Sequence, residues 1–136
     1  MAEGLARDWL RQQGLDSTWS VGSAGVFAVD GSEPSPEVAA LLASRGISEV
    51  SQSASLTSEM LQAASVVFAM TAAHAEAAQR ILGDAPGPAI QTLDPAGDVP
   101  DPIGHGFGVY ADLADRLDAV LDQVLKEVTH ANNDLG

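Results

Sequence analysis

Val66-Val67-Phe68-Ala69-Met70-Thr71 is the stretch on which the fold turns. Residues 66–70 form an apolar run with two β-branched residues at its start. The run is too short for a helix, and its composition predicts a strand buried on both faces, as in a parallel sheet. Thr71 then offers a hydroxyl cap, an Ala-rich helix continues to Leu82, and Gly83 stops it. Residues 89–93 predict a second short strand. Two parallel strands need a crossover, and a helix between them supplies it. The sequence therefore predicts an α/β sandwich around a short parallel sheet.

Working outward, residues 1–13 predict a helix with Ala2, Leu5, Ala6 and Trp9 on one face and Gly14 as its stop. It has no capping residue before it. Residues 18–26 predict a strand ending in Ser23-Ala24-Gly25. Ser35-Pro36-Glu37 is a helix start, with a cap, a first-position proline and an acid in the first turn. That helix turns Val38, Leu41 and Leu42 inward and ends at Gly46. Thr57 caps a further short helix, and Leu56 and Leu61 stand at hydrophobic-staple positions. Residues 109–129 predict the longest helix, with Leu113, Leu117, Val120, Leu121, Val124 and Val128 as its buried stripe. Asp112, Asp115, Asp118 and Asp122 read as its solvated side.

Composition narrows the function. The 136 residues contain 6 Lys+Arg, 19 Asp+Glu and no cysteine, for a net charge of −13. One domain over residues 1–130 is expected, followed by a polar, fraying tail at 131–136. The absence of thiols excludes disulfides, zinc–thiolate sites and a cysteine nucleophile within these residues. The acidity argues against a nucleic-acid partner. Residues 63–70, interrupted by Ser65, are too short to span a membrane. Residues 1–10 carry Glu3, Arg7 and Asp8 with no apolar h-region, so a cytoplasmic location is expected. His74, His105 and His130 have no metal-ligand spacing, and neither a metal nor a cofactor is expected.

The chemically informative loop is Asp98-Val99-Pro100-Asp101-Pro102-Ile103-Gly104. Two carboxylates stand three residues apart beside prolines that stiffen the backbone. A rigidly presented carboxyl suits a general acid. Asp and Pro also make ordinary turns, so spacing alone leaves both readings open.

Taken in order, Met1-Ala2-Glu3-Gly4-Leu5-Ala6, Ser23-Ala24-Gly25, Phe68-Ala69-Met70-Thr71 with His74, Asp98-Val99-Pro100-Asp101-Pro102 and Tyr110 resemble the low-molecular-weight protein-tyrosine-phosphatases. The resemblance covers nearly the whole chain. It implies a three-layer α/β sandwich and hydrolysis of phosphotyrosine monoesters through a phosphocysteine. It implies that Asp101 is the general acid, that Asp98 supports the acid loop, and that Val29 and Ile103 wall the substrate cleft. Many members carry an aromatic residue where Val29 stands, and a basic segment where residues 51–55 read Ser-Gln-Ser-Ala-Ser.

The resemblance also implies a phosphate-binding loop of pattern C-x5-R-S/T and a first strand of about 5–6 residues, both expected just ahead of Met1. Without the thiolate the family reaction cannot proceed, so the chain as written is expected to be inactive. An incomplete sheet is expected to leave it marginally stable, with a place for a strand-completing partner or for self-association. A phosphorylated protein or a small aryl phosphate is the implied substrate. The alternative is a non-catalytic relative acting as an acidic binding module. A thiol-dependent arsenate reductase would need further cysteines downstream, which this sequence lacks.

Overall fold

The computed structural model describes residues 1–25, 36–47, 54–99 and 107–135. They form seven elements. These are α1 (Ala2–Gln12), α2 (Pro36–Ser44), α3 (Ser58–Ala63), β1 (Val67–Ala69), α4 (Ala72–Leu82), β2 (Ile90–Thr92) and α5 (Phe107–Leu135). The chain divides into two compact units. The first takes Met1–Ser23, Glu33–Ser51 and Pro102–Gly136, the second Ala24–Ser32 and Gln52–Asp101.

The second unit holds the sheet. β1 and β2 run parallel, pairing Val67 with Ile90, Phe68 with Gln91 and Ala69 with Thr92. α4 packs against both strands, which is the crossover geometry that a parallel pair demands. The Thr71 hydroxyl accepts from His74 N at the start of α4, and Gly83 ends it at φ +62°. Only glycine adopts that left-handed value without a Cβ penalty. The Thr57 hydroxyl accepts from Met60 N in the same way and starts α3. Leu61, 1% exposed, forms a core with Ala78 and Leu82, and Leu56 packs against it as a staple should.

In the first unit α1 and α2 both pack on α5. Each ends in the same six-residue hydrogen-bond closure. Leu15 N donates to Leu10 O and Gly14 N to Arg11 O after α1; Ile47 N donates to Leu42 O and Gly46 N to Ala43 O after α2. Gly14 and Gly46 take φ of +70° and +77° at the position the closure requires. Gly4 leaves room on α1 for the Leu42 side chain of α2. A Cβ there would stand 3.2 Å from Leu42 Cδ1.

Four expectations change. β1 is three residues long, and Val67 and Phe68 are half-buried rather than enclosed on both faces. Among the described residues its ladder has a single partner strand, which leaves one edge of a nominally internal strand uncovered.

Residues 18–25 form no strand. Thr18 N and Trp19 N turn back to Leu15 O, and only Gly25 makes a bridge, with Ser55.

The inward stripe of α5 runs through Tyr110, Ala114, Leu117, Leu121 and Thr129. Leu113, Val120, Val124 and Val128 flank it at intermediate burial.

α5 also runs from Phe107 to Leu135, past the end at residue 129 read from the sequence, and the first strong helix breaker beyond that point is Gly136.

Candidate active site

In parallel α/β sheets the chemistry gathers beyond the carboxyl ends of the strands. Here β1 leads there through Met70 and β2 through Leu93. Leu93 N donates to Ala69 O at 2.8 Å, extending the pairing by one bond. The chain then turns through residues 94–97. Asp94, buried, accepts from Ala96 N through Oδ1 at 2.9 Å, and Gly97 N donates to Asp94 O. Gly97 takes φ +156° within this turn.

The turn returns residues 98 and 99 to the end of β1. Val99 N donates to Met70 O at 2.8 Å, and Val99 is only 2% exposed. Asp98 Oδ1 accepts from Ala72 N, the first amide of α4, at 2.9 Å. The first four amides of a helix have no partner inside it. At α4 the Thr71 hydroxyl takes one of them and the Asp98 carboxylate takes another. A carboxylate at this end also meets the positive pole of the helix dipole. Residues 98–99 are thereby moored on two sides of the β1–α4 junction, immediately ahead of Pro100-Asp101.

This arrangement decides what Asp98 can do. Its carboxylate accepts an amide hydrogen, so it acts as a fixed acceptor that holds the chain, while Asp101 follows three residues later. Asp101, Ile103 and Val29 lie outside the described residues. His74 is exposed at the start of α4, and only its backbone amide takes part in the cap. Among the described residues no group of His, Asp and Glu is placed to hold a metal ion. No described helix is long and apolar enough to cross a membrane.

The family model for low molecular weight phosphotyrosine protein phosphatase matches residues 1–134. The chain belongs to that family. A curated relative of this chain, the protein-arginine-phosphatase of Bacillus subtilis (strain 168), is 30% identical over 132 residues. The match spans 94% of this chain and 87% of the relative. The solution structure of a low molecular weight protein tyrosine phosphatase from Bacillus subtilis matches with a TM-score of 0.83 at 30% identity, over 95% of this chain and 87% of that one. An arginine phosphatase, a cysteine-to-serine mutant with a phosphorylated active-site serine, matches with a TM-score of 0.82 at 29% identity, over 94% and 86%.

The mooring of residues 98 and 99 was not legible from spacing. Ala72 and Asp98 are 26 residues apart, and no local pattern announces that one will cap the other. The Met70–Val99 bond was missed for the same reason; the Asp94 turn, by contrast, is local, and Asp94-Pro95-Ala96-Gly97 carried a signal that could have found it. A partly exposed network in the first unit was also unforeseen. Glu3 accepts from Arg7 Nη2 and from the Ser23 hydroxyl, both at 3.0 Å, tying the Ser23 turn to the first turn of α1.

Proposed function

We propose that this chain is the scaffold and acid-loop part of a low molecular weight protein phosphatase, acting in the cytoplasm on phosphorylated protein side chains. Asp101 protonates the leaving group as its bond to phosphorus breaks. Asp98 holds the loop, and Val29 and Ile103 flank the substrate. The observation that carries the reading is the double mooring of residues 98 and 99 to Ala72 N and Met70 O. A general acid works only when it is held at hydrogen-bond distance from the atom it protonates.

The leaving group we favour is the guanidino nitrogen of phosphoarginine over the phenolic oxygen of phosphotyrosine. Val29 offers no ring for stacking an arene. The 30%-identical curated relatives are protein-arginine-phosphatases. In either case the phosphoryl group passes first to a thiolate and then to water, with Asp101 donating one proton and afterwards receiving one from that water. The 136 residues hold no cysteine. A serine hydroxyl needs a base to become a nucleophile, and the Glu3 carboxylate that Ser23 donates to is itself held by Arg7, which leaves it a weak base. The polypeptide as written is therefore inactive.

A chimera tests the acid assignment. A strand and a C-x5-R-S/T loop are joined ahead of Met1. Hydrolysis should appear, favour phosphoarginine over phosphotyrosine peptides, and fall roughly 10²–10⁴-fold with Asp101→Asn. An active chimera indifferent to Asp101 contradicts the assignment.

A second reading rests on the open edge of β1. Leu93 N bonds Ala69 O. Strand residues alternate in the direction of their hydrogen bonds, so the N–H and C=O of Phe68 face away from β2. They have no partner among the described residues. An acidic module could accept an extended, basic peptide there by strand addition. Saturable binding of such a peptide, lost when the backbone amide opposite Phe68 is N-methylated, supports it.

A further inference from the structure

We draw no further inference here: the strongest candidate, the open edge of β1 at Phe68 in the second unit, is the surface of the second reading already described, and nothing among the described residues shows what covers it.

Discussion

The Asp98 carboxylate accepts the Ala72 amide hydrogen at 2.9 Å across 26 residues of chain. It thereby caps α4 from outside the helix and ties the segment leading to Asp101 to the end of β1. Removing that carboxylate should cost stability in the manner of a lost N-cap, about 1 kcal/mol. Asp98→Asn keeps an acceptor oxygen and should recover part of the loss. Urea unfolding of the two variants and the parent measures this. Equal stability of Asp98→Ala and the parent would show that the bond holds nothing.

The Trp9 indole donates to Asp122 Oδ1 at 2.9 Å, joining α1 to α5. This bond, followed by that from Lys126, holds the Asp122 pKa below the ordinary aspartate value of about 3.8. A folded pKa below the unfolded one gives stabilisation that is complete above the unfolded value and lost as pH falls through the folded one. Trp9 fluorescence, read in a Trp19→Phe background, should therefore change below pH 4 or so ahead of global unfolding. In Asp122→Asn that early change should vanish. Its persistence in the variant would assign it to another group.

How much of this could be read in advance depends on how local each determinant is. α4 was legible from end to end because Thr71 and Gly83 write its boundaries into the sequence. The closures at Gly14 and Gly46 were legible for the same reason. Residues 18–25 were not, because a strand exists only where a partner ladder meets it, and here Gly25 alone is bridged. On α5 the apolar count pointed to Val120, Val124 and Val128, yet Ala114 and Thr129 face inward. Thr129 can be buried because its hydroxyl donates to Leu125 O at 2.7 Å, which removes the cost of an unpaired polar group. The Asp98–Pro102 stretch stood out as a motif, but the mooring of residues 98 and 99 was not legible, since both bonds reach across the fold.

Arg45, on the turn after α2, bonds Asp115 and Asp118 of α5. Those hydrogen bonds, Asp118 first, raise its pKa further. The aspartates are well exposed, so solvent screens the pair and the contribution is small. Arg45→Met should cost about 0.2–1 kcal/mol. The difference should shrink in about 1 M salt, where the screening length is near 3 Å. Urea unfolding at low and high salt decides the point. A loss that does not depend on salt would mean that the arginine acts through packing of its stem.

The central claim is that this chain carries the acid-loop half of phosphatase chemistry without its nucleophile. The direct measurement is phosphate release by the purified 136-residue protein from an aryl phosphate and from a phosphoarginine peptide, beside the Asp101→Asn variant. The account predicts release at the buffer rate from both proteins and both substrates. Release well above buffer that disappears with Asp101→Asn would contradict it, because a nucleophile other than a cysteine would then have to be at work.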